Sequence, residues 1–162
     1  APFAVSPGVV IPPGSYHWTR YRLEAGTASK RLFSGQFTWW FGGFYEGVLH
    51  QVIWTAAWNP APLVTVELTG EYDAGRLDAG DFDTTVAGAR VRLNLSPDLT
   101  IASYVQYDTV SKSVGTNTRL RWTVSPASDL FVIYNHNVRD RMDRWQLDSN
   151  QLLIKYQYAF RY

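Results

Sequence analysis

The stretch Gln151-Leu-Leu-Ile-Lys-Tyr-Gln-Tyr-Ala-Phe-Arg-Tyr162 alternates between apolar and polar side chains. In an extended strand successive side chains point to opposite faces. One face would carry Leu152, Ile154, Tyr156, Tyr158, Phe160 and Tyr162, and the other would carry Gln151, Lys155, Gln157 and Arg161. An aromatic-rich face opposite a polar one is the pattern of a barrel strand that meets lipid on its outside and water on its inside.

The composition of the chain agrees with strands of this kind. Aromatic residues make up 15% of the 162 residues, seven of them Trp. No apolar run reaches the roughly 18 residues that a membrane-spanning helix needs, so transmembrane helices are not predicted. The net charge of +1 argues against a nucleic-acid binder. Because the chain has no cysteine, disulfides and thiolate metal sites are excluded.

Segments of about ten residues, separated by turn residues and free of helical periodicity, repeat along the chain. We predict strands at 16–27, 32–44, 47–58, 63–73, 83–95, 99–110, 114–124, 129–138 and 148–162. The fold class is therefore all-β, an antiparallel up-and-down transmembrane β-barrel of outer-membrane type. Residues 1–15 form an N-terminal extended segment or weak first strand, and residues 16–162 form the barrel domain.

The predicted links between strands alternate in length. Short links with proline fall at 59–62, 96–98 and 125–129, and longer links rich in Gly, Asp and Arg fall at 74–82, 109–116 and 137–149. Outer-membrane barrels have short turns at one end and longer loops at the other, so this alternation favours a meander of that type.

The number of strands that close the barrel stays open, because bacterial single-chain barrels contain an even number. A tenth strand could come from Phe3 to Val10, although Pro7 weakens it because proline cannot donate to the strand ladder. One predicted strand could instead be a loop, or the chain could be the C-terminal part of a larger barrel. We expect about eight to ten strands in this chain.

Several stretches resemble a known family. They are Ser103-Tyr-Val-Gln-Tyr107, Asn117-Thr-Arg-Leu-Arg-Trp122, Asp129-Leu-Phe-Val-Ile-Tyr-Asn135, Ile11-Pro-Pro-Gly-Ser-Tyr16 and Trp39-Trp-Phe-Gly-Gly-Phe-Tyr45. The sequence is similar in these places to the C-terminal barrel region of a bacterial outer-membrane family whose longer members carry a carbohydrate-binding-like domain upstream. The terminal aromatic residues Tyr158, Phe160 and Tyr162 resemble the assembly signal that the outer-membrane insertion machinery reads.

Alternation assigns two sets of side chains to the two faces of the barrel. The charged residues expected to face the lumen are Arg20, Arg22, Glu24, Glu67, Glu71, Arg90, Arg92, Arg119, Arg121, Lys155 and Arg161. The aromatic residues expected to face lipid are Phe37, Trp39, Phe41, Trp54, Trp58, Tyr72, Trp122, Tyr156, Tyr158 and Phe160. In a narrow barrel the charges would pack into a paired network, and in a wider one they would line water and favour anions.

Few residues suggest chemistry. His136, Asp140 and Ser149 could form a rim site, but a solvated loop histidine is the commoner reading. The acidic stretch Asp73, Asp78, Asp81 and Asp83 carries oxygen ligands but lacks the order of a calcium loop, which favours a solvated hairpin tip. The loop 139–144 could meet lipopolysaccharide phosphates through its arginines.

These observations predict an integral protein of the bacterial outer membrane with a structural or pore-like role. No enzyme activity, cofactor, metal or nucleic-acid partner is expected. The expected partners are the lipid bilayer, lipopolysaccharide and the insertion machinery, and other subunits are not predicted either way. Two alternatives stay open, an outer-membrane barrel enzyme with a rim active site near His136 and a soluble ligand-binding β-barrel.

Overall fold

The structure is a computed structural model that describes residues 2–160, and it is built from β-strands joined by turns. The strands are β1 (Phe3–Ser6), β2 (Val9–Ile11), β3 (Arg20–Gly26), β4 (Phe33–Phe44), β5 (Gly47–Ala61), β6 (Val64–Leu77), β7 (Gly80–Ser96), β8 (Leu99–Asp108), β9 (Ser113–Ser125), β10 (Ser128–Asp140) and β11 (Trp145–Tyr158). No helix within residues 2–160 is long and apolar enough to cross a membrane.

Strands β3 to β11 form one nine-stranded sheet in which every strand pairs with its sequence neighbours. All of these pairs are antiparallel, as in an up-and-down meander. The nine strands predicted from the sequence correspond to β3–β11, so the all-β class and the meander are confirmed.

All six predicted links are shorter than expected, because the turns at 62–63, 78–79, 97–98, 109–112, 126–127 and 141–144 contain only two to four residues. Of the three links expected to be long, those after β8 and β10 have four residues and the one after β6 has two. The link at 74–82 is mostly strand, because β6 continues to Leu77 and β7 begins at Gly80. The link at 59–62 also belongs largely to β5, which runs to Ala61 and pairs irregularly between Trp58 and Ala61. Pro60 lies inside that irregular stretch, and its missing N–H explains why the ladder is interrupted there.

The pairing register gives the sheet two unlike faces. Leu23 lies opposite Trp39, which lies opposite Val52, and the series continues through Tyr72. We call this side the apolar face. The other side, the polar face, carries rows such as Thr65 opposite Arg92. Period-two alternation therefore holds across the whole sheet.

The N-terminal segment forms a separate hairpin and adds no tenth strand to the sheet. Strands β1 and β2 pair only with each other in a two-stranded sheet. The turn between them is Pro7-Gly8, in which Gly8 has a φ of 83°. Proline followed by a residue with positive φ is the arrangement of a type II turn, so Ser6-Pro7-Gly8-Val9 encodes the reversal.

The sheet is not closed within residues 2–160. β3 and β11 are its two edges, and all residues of β11 are exposed. The surface area of 11176 Å² exceeds the roughly 8,200 Å² expected for a compact protein of 18.4 kDa. No large side chain of the described residues is fully buried. Most apolar side chains of this fold are therefore still accessible.

Candidate functional site: the polar face of the sheet

The register places the charged residues expected in the lumen together on the polar face. These are Arg20, Arg22, Glu24, Glu67, Glu71, Arg90, Arg92, Arg119, Arg121 and Lys155. Arg161 lies outside the described residues. Whether this face lines a lumen depends on closure of the sheet.

Ion pairs between neighbouring strands neutralise several of these charges. With a turn centred near 77–79, the sequence of hairpin 63–95 predicts that Glu67 lies opposite Arg90. The structure has this register, and Glu67 Oε1 is 3.5 Å from Arg90 Nη1. Asp129 accepts two hydrogen bonds from the Arg121 guanidinium, each 3.2 Å long. Arg22 pairs with Glu24 on its own strand. Such ion pairs contribute little to stability where water surrounds them, and breaking one costs more where water is excluded.

A second network uses amide side chains as intermediates. Gln51 accepts a hydrogen bond from Arg20 Nη2 at 3.5 Å and donates one to Glu71 Oε1 at 2.8 Å. Gln36 donates to Glu24 at 2.6 Å. The uncharged Gln51 in β5 therefore links Arg20 in β3 to Glu71 in β6, three strands away.

Aromatic residues on the polar face lie beneath arginines. Trp40 has the guanidinium groups of Arg20 and Arg22 at 5.4 and 5.3 Å from its ring centroid. Tyr104 has Arg90 at 5.2 Å. In β10, where the sequence did not fix the register, Phe131 faces the same way and has Arg119 at 5.3 Å and Arg121 at 6.0 Å. Cation–π contacts therefore explain these aromatic residues on a charged surface.

The hairpin covers an apolar part of the polar face near the turn between β6 and β7. Val9 and Ile11 are buried against Leu77 beside the turn that joins β6 to β7. Phe44 and Phe82, which point to the same face, pack around this cluster. The hairpin is held by apolar burial and sits over one end of the polar face, across β4–β7.

The same end of the polar face is open across β8–β11, where a concavity of about 650 Å³ is lined chiefly by amides and hydroxyls. The carboxamide of Asn117 donates to Asn135, whose own amide donates to Gln151 at 3.4 Å. Asn137 donates to Ser149 Oγ at 2.8 Å. These Asn and Gln residues could not be grouped from the sequence. They lie in separate strands, and only the strand register brings them together.

The aromatic residues expected to face lipid lie on the apolar face. Phe37, Trp39, Phe41, Trp54, Trp58, Tyr72, Trp122, Tyr156 and Tyr158 are placed there by the strand pairing. Phe33 stacks on Trp58 with ring centroids 6.0 Å apart. The Trp54 indole crosses Gly70, where a Cβ atom would clash with it. Phe160 follows the end of β11 and is 77% exposed, and Tyr162 lies outside the described residues.

The residues proposed for chemistry are not brought together. His136 lies opposite Asn150 on the apolar face, whereas Ser149 lies opposite Asn137 on the polar face. A histidine and a serine on opposite faces cannot share a proton. His17 falls within the predicted strand 16–27, but in the structure it lies in the segment between β2 and β3 and is not part of a strand.

The acidic stretch is divided in the same way. Asp73 points to the polar face, while Asp81 and Asp83 point to the apolar face and both pair with Arg76. Within residues 2–160 no group of three or more His, Asp or Glu side chains is placed to hold a metal ion. Arg139 near the end of β10 and Arg141 in the loop after it both pair with Asp148 in β11.

Comparison of the chain with protein-family models, with curated proteins and with solved structures found no significant match. The resemblance to an outer-membrane family stays a prediction.

Proposed function

We propose that the chain is an integral β-barrel of the bacterial outer membrane, with a structural or pore-like role. The observation that carries this proposal is the apolar face, which no other element covers within residues 2–160. Leu68, Trp54, Trp122 and Ile154 are between 38 and 64% exposed on it. A continuous apolar surface of this kind marks contact with a membrane or a partner, and the lipid bilayer fits its spread across the sheet.

The lengths of the strands support the same proposal. A tilted transmembrane strand needs about 9–11 residues. Strands β4 to β11 contain between 10 and 17 residues. Each is therefore long enough to cross the hydrocarbon layer, and the turns between them would lie at the two water interfaces.

The polar face has the chemistry of a lumen wall. Several of its charges are paired or stacked on aromatic rings, as the contacts of Arg90 with Glu67 and Tyr104 show. In a barrel of about eight to ten strands, side chains of this size would fill most of the interior. The lumen would be narrow and rich in arginine, with the N-terminal hairpin across part of one end.

Closing the sheet into a barrel requires pairing at the edge strands β3 and β11 that the described sheet does not contain. Because β3 and β11 are separated by eight antiparallel pairings, the two edge strands run in the same direction. A nine-stranded barrel would need a parallel seam between them, whereas one further strand would restore an antiparallel seam and the even number typical of bacterial barrels. Such a strand would come from a longer barrel of which this chain is the C-terminal part.

The proposed function can be tested by electrophoresis of the complete barrel, which contains this chain and the further strand, after refolding into detergent micelles. A closed barrel resists dodecyl sulfate until it is heated, so unheated and boiled samples should migrate differently. The matched variant Ile154→Arg places a charge on the apolar face and should reduce the fraction with fast migration. Full solubility without detergent, together with identical migration before and after boiling, would contradict the proposal and favour the soluble ligand-binding alternative.

A further inference from the structure

Arginines without a carboxylate partner lie beside the amide-lined concavity. Arg92 in β7 and Arg119 in β9 both lie opposite Ala102 in the strand between them. Their Cα atoms are thus two strand spacings apart, about 9.6 Å, and on this face the residue between them is the small Ala102. Among residues 2–160, neither guanidinium forms a salt bridge, whereas the neighbouring Arg90 and Arg121 are each paired with an acid.

Two like charges across so short a gap repel each other unless an anion lies between them. Guanidinium groups bind phosphate and carboxylate oxygens through paired N–H donors. The group of four arginines on β7 and β9 therefore presents more positive charge than its carboxylates neutralise, and Arg92 and Arg119 are the part left for a ligand.

The concavity lies along the same strands, and its lining begins at Tyr104 and Asn117, one row along the polar face from this pair. Asn117 is two residues from Arg119 on the same face, and Tyr104 lies opposite both Asn117 and Arg90. Amides supply donors and acceptors together, which suits hydroxyl groups. The carboxylate of Asp108 in this wall is already bonded to Ser111 Oγ at 2.9 Å and to the Val110 N–H at 2.8 Å. These donors leave the negative charge of Asp108 in place, six residues along β8 from Ala102, and the other residues that line the concavity are uncharged.

We propose that β7–β10 form a binding site for an anionic, hydroxyl-rich solute of the class of a sugar phosphate. Arg92 and Arg119 hold the anionic group, and the amides of Asn117, Asn135 and Gln106 hold the hydroxyl groups. The inference rests on one part of the proposed function, namely that the polar face lines a lumen that solutes can enter.

Isothermal titration of the refolded chain in zwitterionic detergent tests the site with glucose 6-phosphate, inorganic phosphate and glucose. Glucose 6-phosphate should bind most tightly, phosphate more weakly, and glucose least. Arg92→Gln combined with Arg119→Gln should weaken both anions by about tenfold or more, the effect of losing one hydrogen bond to a charged group. Arg22→Gln, on the same face but paired with Glu24, should leave all three affinities unchanged.

A second variant tests the contribution of the amide side chains to the site. Asn117→Ala combined with Asn135→Ala should weaken glucose 6-phosphate by about tenfold, since two neutral hydrogen bonds are lost, and leave phosphate within about twofold. The inference is overturned if glucose 6-phosphate binds no more tightly than phosphate, or if the arginine variant binds both anions normally. A chain that shows heat-modifiable migration yet binds none of the three ligands would overturn the site while leaving the barrel intact.

Discussion

At the scale of single residues, the face on which a side chain lies decides what a substitution costs. Ile154 in β11 is 64% exposed on the apolar face, and Gln157 in the same strand lies opposite Asp129 on the polar face. An arginine in contact with lipid near the midplane costs about 2–4 kcal/mol. We expect Ile154→Arg to lower the free energy of unfolding in lipid vesicles by that amount, and Gln157→Arg to change it little. Urea titration followed by Trp fluorescence measures both, and equal losses would contradict the assignment of faces.

The pair formed by Glu67 and Arg90 gives a second residue-scale prediction. Both side chains are partly exposed in the open sheet, at 35 and 45%, where an ion pair is worth less than about 1 kcal/mol. In a closed, narrow lumen, reversing one charge leaves the other without a partner. Glu67→Arg and Arg90→Glu should each destabilise the refolded protein, and the double variant should recover most of the loss. Additive losses without recovery in a double-mutant cycle would indicate that both charges face open water.

At the scale of elements, the hairpin β1–β2 is predicted to be an independent unit that is held by burial. Ile11 is 3% exposed, while its neighbour Val10 is 49% exposed. Ile11→Ala should cost about 2 kcal/mol, at the lower end of the range for apolar truncations because the cluster is small. Hydrogen exchange should rise in Phe3–Ile11 and stay unchanged in β8–β11. Val10→Ala is the matched control, and an equal effect from it would show that the hairpin is not docked through this side.

The aromatic residues at the end of the sequence are predicted to direct assembly. Removing residues 160–162 should leave the protein in the periplasm or lead to its degradation. A variant with Phe160→Tyr and Tyr162→Phe keeps the aromatic pattern and should reach the membrane normally. Quantification of the protein in separated membrane and periplasmic fractions distinguishes the two. Normal outer-membrane levels of the truncated chain would show that these aromatic residues contribute only packing.

The positions of most strands could be predicted from the sequence, but the ends of some strands could not. Alternation was sufficient to locate β4–β9, because the middle of each strand places mainly apolar residues on one face. The extension of β6 and β7 to the turn at 78–79 was missed, since Gly75, Gly80 and the aspartates read as loop residues. Gly75 is needed because the Phe82 ring crosses it, a contact that no local pattern reveals. The hairpin was missed because its strands are only 4 and 3 residues long.

Only part of the candidate site could be predicted from the sequence, because contacts between strands depend on a register that the local pattern does not show. Period-two alternation identifies which charges share a face, so the set on the polar face could be read directly. It does not identify which strand residues become neighbours unless the turn length is known. Glu67 and Arg90 were found because one short turn joins their strands. The grouping of Arg92 with Arg119 around Ala102, and of Asn117 with Asn135, depends on two or more registers at once.

At the scale of the whole molecule, the central claim is that the apolar face meets lipid and the polar face meets water. The chain has no cysteine, so single cysteines can be introduced along β6 and spin-labelled without background. Collision with oxygen reports contact with lipid, and collision with a water-soluble nickel chelate reports contact with water. Labels at Val66, Leu68 and Tyr72 should favour oxygen in lipid vesicles, and labels at Thr65, Glu67 and Thr69 should favour nickel. The opposite phase, or equal access of nickel to both sets, would contradict a membrane barrel.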